Sequence, residues 1–386
     1  MPTDDIALPS QAAPSSGLRR VAIPALFFLL GVLYASWAAR LPTIRETLSL
    51  DAARLGTVLL GGGIGSVLSY PLAAWLVGHH GARHAALWAG LGLAALFPML
   101  PWIGDWRGLM LGLLLLGVLT SSFDVAINAL GAEAEQDAGR PIMSMLHAWF
   151  CVGTFVGALL GSLVAYWGIS PALHFGVVSL VMVTVIVPTN NSLPCDRSTP
   201  EASGGHFTIP HGALIALGLI AFLGAVSEGS LTNWIPLYLR EHLHASIGTA
   251  PLGYAAFAGA MLAARLVGDR LKERVGARRL LSASSLVGAA GIGLAVIAPS
   301  VALSIPGLVL AGLGVAAVFP CIFSAAGREG AGALASVATL GYAGGLFGPP
   351  LMGFVVHWHG MQAGFVVLAA ISIAVSIAGG RARLLK

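Results

Sequence analysis

Residues Ser121–Gly161 read SSFDVAINALGAEAEQDAGRPIMSMLHAWFCVGTFVGALLG. Two long apolar runs meet here across a short charged loop. The first carries Asp124 and Asn128; the second carries His147 and glycines at positions 153, 157 and 161. A helix that crosses a bilayer needs about 20 mostly apolar residues, and both runs reach that length. A charge at the bilayer centre costs at least ~2.5–3.5 kcal/mol on insertion scales, so such groups mark ion or substrate paths. The stretch therefore reads as a membrane hairpin that keeps a carboxylate, an amide and an imidazole inside it.

The composition agrees. The 386 residues are 57% hydrophobic and 9% charged, with a mean hydropathy of +0.87. Soluble domains carry about 25% charged residues. The net charge of +4 is small and its lysines and arginines are dispersed, so no nucleic-acid footprint is present. Cys151, Cys195 and Cys321 are far apart, which gives neither a disulfide framework nor a zinc site. His357 and His359 sit two apart at a helix end with no third ligand near, so no metal is expected, nor any cofactor.

The pattern predicts an all-α membrane protein with twelve spans in two pseudo-symmetric six-helix bundles around a central cavity. The spans fall near 19–41, 54–77, 84–103, 107–130, 144–167 and 171–188, then near 210–239, 247–268, 279–299, 301–324, 333–357 and 362–380. The domains are a disordered N-terminus (1–17), a first bundle (18–188), a linker (189–208), a second bundle (209–380) and a short tail (381–386). Fifteen of the 20 basic residues fall on the side that holds both termini and five on the other, so both termini are expected in the cytoplasm. Trp102, Trp106, Trp167 and Trp358 fall at outer ends, as an interfacial belt does. Glycines 153, 161 and 168 recur at 345, 353 and 360, and Gly81-Ala82-Arg83 recurs as Gly276-Ala277-Arg278. Two similar offsets predict a duplication.

Residues Arg265–Arg279 read RLVGDRLKERVGARR. This resembles the signature loop of the major facilitator superfamily, GxxxD(R/K)xGR(R/K). The resemblance implies a gating role for Arg265, Asp269, Arg270, Gly276 and Arg278. The first-half copy keeps only Gly81 and Arg83; Ala74, Gly78 and His79 replace the usual Gly, Asp and Arg. Parallel halves related by an axis along the membrane normal are also the pattern of this superfamily. Asp124 four before Asn128, followed by His147 six before Gly153, is similar to the fucose-permease branch. WAARLPTIR at Trp37–Arg45 and EGSLTNW at Glu228–Trp234 look like the YbjJ-type inner-membrane transporters of that branch.

Asp124 and Glu228 are the acids that fall well inside predicted spans. Burial disfavours a charged carboxyl, so Asp124 can carry a proton and release it when the cavity opens to the other side. A structural hydrogen bond and direct solute binding are the other readings. Spacings of three and four put Ser121, Asp124 and Asn128 on one helix face. Asn128 either holds Asp124 or meets the solute. His147 is expected near Asp124, titrating with it as an imidazole can near neutral pH. Glu228 is expected at a gate or solute contact, with Arg40 as its partner. Asp124, His147 and Glu228 are thus the proton-coupling candidates. Tyr34 and Trp37 are one turn apart and suit a sugar ring or another flat solute; Asn233, Trp234 and Tyr342 complete the solute-binding set. The glycines at 153, 157 and 161 form a close-packing face.

The reading is a secondary active transporter of a small polar solute, sugar-like or another metabolite, coupled to protons and working by alternating access. It is expected as a monomer in the bacterial inner membrane, with solute, protons and lipid as its partners. A drug or metabolite efflux antiporter and a transporter-fold sensor are the alternatives. No catalytic constellation or GxxxxGK(S/T) loop is present, so an enzyme or an ATP-driven pump is not expected.

Overall fold

The computed structural model describes residues 16–139, 142–193 and 211–385, with side chains from Val21 onward. The expected disorder before Ser16, most of the linker, Arg140, Cys195, Arg197 and Lys386 lie outside the described residues.

The described chain is helical with no strand. Its helices are α1 (Ser16–Thr47), α2 (Ala52–Leu96), α3 (Trp106–Ala138), α4 (Met143–Tyr166), α5 (Pro171–Asn190), α6 (Leu214–Glu241), α7 (Ala250–Val275), α8 (Ala277–Ile297), α9 (Val301–Val315), α10 (Val318–Arg328) and α11 (Ala331–Arg381). A 3-10 turn at Phe97–Trp102 continues α2. Among the described residues, ten helices are long and apolar enough to cross a membrane, with α9 and α10 counted together.

Two of the ten are too long for one crossing. A straight helix of 45 residues, the length of α2, would measure about 68 Å, against a hydrocarbon core of about 30 Å. Both long helices break at a glycine. Gly81 in α2 has φ 81 and ψ 158, and Gly360 in α11 has φ 83 and ψ 168. Gly276, between α7 and α8, adopts the same backbone, φ 84 and ψ 149. Side chains disfavour this region, so glycine is the residue that makes a one-residue break. The expected separate spans at 54–77 and 84–103 are thus one element interrupted at Gly81. The expected span at 301–324 is interrupted too, at Ala316-Ala317. The first-half helix carrying Asp124 runs eight residues past its expected end, to Ala138, where Gly139 closes it in the left-handed conformation.

Helix starts follow local chemistry. The Asp51 side chain accepts from Arg54 N at 2.7 Å, and the Asp105 side chain accepts from Arg107 N and Gly108 N. Each satisfies backbone donors that a helix N-terminus leaves open. Trp102, Trp167 and Trp358 stand exposed at helix ends, as the aromatic belt predicts.

Glycine sets how the helices meet. A Cβ on Gly153 would strike the carbonyl of Phe28, and one on Gly157 would lie 2.9 Å from Val32 Cα, so α4 and α1 pack backbone to backbone. The contact recurs in the second half. A Cβ on Gly344 would strike the carbonyl of Phe222, and one on Gly348 would lie 2.9 Å from Val226 Cα. The same holds between α2 and α3, where Gly117 meets the carbonyl of Gly62, and between α7 and α9, where Gly312 meets that of Phe257. These contacts fix the correspondence: α1 to α6 at an offset of 194 (Phe28 to Phe222), α4 to α11 at 191 (Gly153 to Gly344), and α2 to α7 and α3 to α9 at 195. Gly344, not the expected Gly345, is therefore the partner of Gly153; around Gly345 a Cβ would meet open space.

Candidate functional site

Asp124 sits mid-helix on α3 and is half-buried. Its Oδ1 accepts from Asn128 Nδ2 at 3.0 Å, and the same nitrogen donates to the Asp124 carbonyl at 2.8 Å. The i,i+4 spacing makes this bridge, so Asn128 orients the carboxylate. Three tyrosines from other helices lie within electrostatic reach of Asp124: Tyr34 of α1, Tyr70 of α2 and Tyr342 of α11. The rings of Tyr70 and Tyr342 are 5.7 Å apart, and Tyr34 meets Phe150 edge-on at 6.1 Å. Tyr34 is 38% exposed and is the one exposed residue of α1 between Ala22 and Arg45. An open side chain in an otherwise buried helix faces a space between helices, and Tyr342, at 55%, is open as well.

A second polar group forms where α4, α6 and α7 meet. Arg265 of α7 donates from Nη1 to Cys151 Sγ of α4 at 2.9 Å and from Nη2 to Glu228 Oε1 of α6 at 3.3 Å. The other Glu228 oxygen, Oε2, is buried and has no hydrogen-bond partner. Tyr254 of α7 lies within electrostatic reach of Glu228, Cys151 and Arg265. His147 is exposed, meets Phe27 edge-on at 5.3 Å and lies in the field of Arg265. The structure thus groups His147 with Arg265, where the sequence suggested Asp124.

Two expected solute-binding residues, Trp37 and Trp234, are buried in packing contacts. Trp37 is buried against Phe175, with ring centroids 6.5 Å apart, and does not share the face of Tyr34. Trp234 is fully buried and donates from Nε1 to the Pro349 carbonyl. Asn233 gives its amide to the Gly229 carbonyl at 2.9 Å. Arg40 is buried, bonded to His174 Nδ1 at 3.1 Å and to the Ile169 carbonyl at 2.8 Å. It is therefore not the partner of Glu228; Arg265 is.

The signature-loop residues divide likewise. Arg265 belongs to the site and not to the loop. Asp269 is exposed and lies 3.6 Å from Lys272 on its own helix, and Arg270 is exposed. Arg278 donates to the carbonyls of Ala382 and Leu385, and Arg83 donates to Asn191 Oδ1 at 2.7 Å. Each of these two arginines, just beyond the breaks at Gly276 and Gly81, holds the last helix end of its own half.

Sequence reasoning missed Tyr70, Cys151 and Tyr254. The signal for Tyr70 and Tyr254 was present: tyrosine occurs only 6 times in the chain, and both fall inside apolar runs. Cys151 gave none, because a thiol among Phe150 and Val152 reads as a small apolar residue.

At the end of the molecule bearing the C-terminus of α1, the two groups of helices are tied together. Arg45 pairs with Glu241, and Arg240 pairs with Glu46 at 2.6 Å. Ser162 donates to the Gly248 carbonyl, and Gly56 packs on Gly353. A cavity of about 230 Å³ lies at this end, lined by Ile44, Leu48, Trp102 and Ser170 among others, and no ionisable side chain faces it. It is separate from both polar groups.

The profile of the Major Facilitator Superfamily matches residues 22–330, and matches again over 217–384. An uncharacterized MFS-type transporter of Yersinia pestis is 33% identical over 371 residues, covering 95% of this chain and 96% of its own. The crystal structure of an alanine variant of the nucleoside transporter NupG superposes with a TM-score of 0.80 at 16% identity, covering 94% of this chain and 98% of that one. A bacterial homolog of the human lysosomal transporter Spinster, in an inward-facing and occupied conformation, superposes with a TM-score of 0.77 at 13% identity, covering 98% of each chain. At these identities the superpositions speak for the fold alone. A polytopic helical chain with paired glycine contacts, buried charges between its helices and full-length family matches is a multi-pass transporter and not an enzyme: the chain belongs to the Major Facilitator Superfamily.

Proposed function

We propose that this chain moves a small polar solute across the bacterial inner membrane, coupled to protons, by alternating access. The carrying observation is Asp124, a carboxylate held by Asn128 in the middle of a spanning helix, with tyrosines of three other helices within electrostatic reach. An acid so placed has a use for its proton: protonation removes a buried charge and permits exchange between conformations. Hydroxyl donors and ring faces around it suit a hydroxylated solute, which is the chemistry expected of a fucose-permease-like branch.

In this reading the breaks at Gly81 and Gly360 divide α2 and α11 into two spans each, and α9 with α10 makes one, giving twelve in bundles 18–188 and 209–380. The repeated glycine contacts support the duplication. The end closed by Arg45–Glu241 and Glu46–Arg240 is then the outer gate, and both termini lie in the cytoplasm on the side rich in Arg and Lys. Asp124 and Asn128 form the coupling pair, with Tyr34, Tyr70 and Tyr342 around the solute.

The test is solute-driven proton entry. Proteoliposomes carrying a pH-sensitive dye are exposed to hexoses, pentoses, polyols, sugar acids and nucleosides. At least one class is expected to acidify the lumen, and Asp124→Asn to abolish that signal while leaving counterflow exchange. Export of hydrophobic dyes with no sugar-like uptake would replace this reading with efflux. Solute binding without counterflow would replace it with a sensor.

A further inference from the structure

The correspondence fixed by the glycine contacts carries further than the packing. At an offset of 195, Tyr70 corresponds to Arg265; at 194, Tyr34 corresponds to Glu228; at 191, Cys151 corresponds to Tyr342. The Tyr70–Tyr342 ring contact between α2 and α11 and the Arg265–Cys151 contact between α7 and α4 are therefore the same position in the two interfaces between halves. One is lined by neutral hydroxyls. The other holds a guanidinium.

That guanidinium is poorly complemented. A thiol sulfur is a weak acceptor, and 3.3 Å to Glu228 Oε1 is long for a charge-assisted bond, which favours about 2.7–2.9 Å. Glu228 Oε2 is left without a partner. The Arg265 side chain is 24% exposed although it stands inside a spanning helix. A planar fork of N–H donors with vacant directions fits a carboxylate in bidentate fashion. The charge count selects the anion. Arg265 is a single guanidinium with Glu228 beside it, so a monoanion fits and a dianionic phosphate is repelled.

We propose that Arg265 is an anion subsite and that the solute is a hydroxylated monocarboxylate, with its carboxylate on Arg265 and its hydroxyls toward Asp124 and the tyrosines. This rests on the transport reading above. The incoming carboxylate takes the Arg265 fork from Cys151 and Glu228. Glu228 is then released from its cation, and its charge competes with the incoming anion for the Arg265 fork. The groups facing this pair are His147 and Cys151 from α4 and Tyr254 from α7.

The experiment is binding to the purified full-length protein, read by ligand-induced thermal shift and by counterflow in proteoliposomes. The probes are D-gluconate, D-galacturonate and lactate, with sorbitol, D-galactose and sulfate, a dianion at any working pH, as contrasts. Gluconate or galacturonate is expected to bind at least about tenfold tighter than its neutral counterpart, a difference of about 1.4 kcal/mol, with no binding of sulfate. Arg265→Gln is expected to erase that preference. Glu228→Gln is expected to tighten carboxylate binding, an effect that loss of a purely structural ion pair would not produce. If Arg265→Gln fails to fold, the double variant with Glu228→Gln, which leaves no lone charge, is expected to fold and to show no carboxylate preference. Equal binding of acid and neutral probes, binding of sulfate, or no binding of any of the three acids overturns the proposal. Counterflow of neutral sugars that ignores Arg265 would overturn it and leave the transport reading standing; gluconate binding without counterflow would do the reverse.

Discussion

The two halves of the chain share glycine contacts and differ in chemistry, and α3 set against α10 shows this most sharply. In the first half Asp124 and Asn128 stand four apart and are bonded at 3.0 Å. At an offset of 195 their counterparts are Phe319 and Phe323, whose rings lie 5.3 Å apart. A polar i,i+4 pair in one half is an aromatic i,i+4 pair in the other. The reverse holds one layer away, where Tyr34 and Tyr70 face Glu228 and Arg265 as counterparts. Each half therefore carries its ionisable groups on different helices. The duplication proposed above accounts for the glycines, because these close backbone contacts leave no room for a side chain. It does not constrain side chains that point into the space between halves, and there the two copies are free to diverge.

The largest expected effect breaks this asymmetry at its acid. Asp124→Asn should lower pH-driven uptake by about 100-fold, near 2.7 kcal/mol, while Phe319→Leu changes it little; initial rates in proteoliposomes check both. The shared frame comes next. Gly157→Val and Gly348→Val each place a side chain on a neighbouring backbone, and overpacking of this kind costs about 1–3 kcal/mol. Thermal unfolding should fall for both by similar amounts, and a loss confined to one half would mean that the frames are not equivalent. The gate follows. Glu46→Arg should weaken closure of that end by about 1 kcal/mol, as exposed ion pairs allow, and adding Arg240→Glu should restore it. Cysteine accessibility at introduced positions on either side reports the shift. Of similar size is Asn128→Ala, expected to cost about 1 kcal/mol of the orientation of Asp124 and to slow uptake about fivefold without abolishing its pH dependence. Trp37→Phe, in the core against Phe175, should leave transport within about twofold.

The class of fold was legible because apolar run length and charge deficit are local properties. The Asp124–Asn128 pair was legible for the same reason, since a helix brings i and i+4 together whatever surrounds them. Arg265 was misread because it stands four residues before Asp269 and so completes a familiar loop pattern; only the rotation of α7 toward Cys151 and Glu228 separates it from the loop. Arg40, at the outer end of the first span, is the residue the sequence sets against Glu228, whereas His174 and the Ile169 carbonyl, some 130 residues away, hold it. Trp37 and Trp234 carried no information on direction, because an aromatic side chain suits a core as well as a solute. Contacts between helices distant in the chain decide such cases, and a single sequence does not state them.

The central claim is that Asp124 carries the coupled proton. Infrared difference spectroscopy between acidic and neutral pH tests it most directly, since a protonated carboxyl has its own C=O stretch. The account predicts a carboxyl band that titrates in the wild-type protein, persists in Glu228→Gln and vanishes in Asp124→Asn. A band that survives Asp124→Asn unchanged would contradict it.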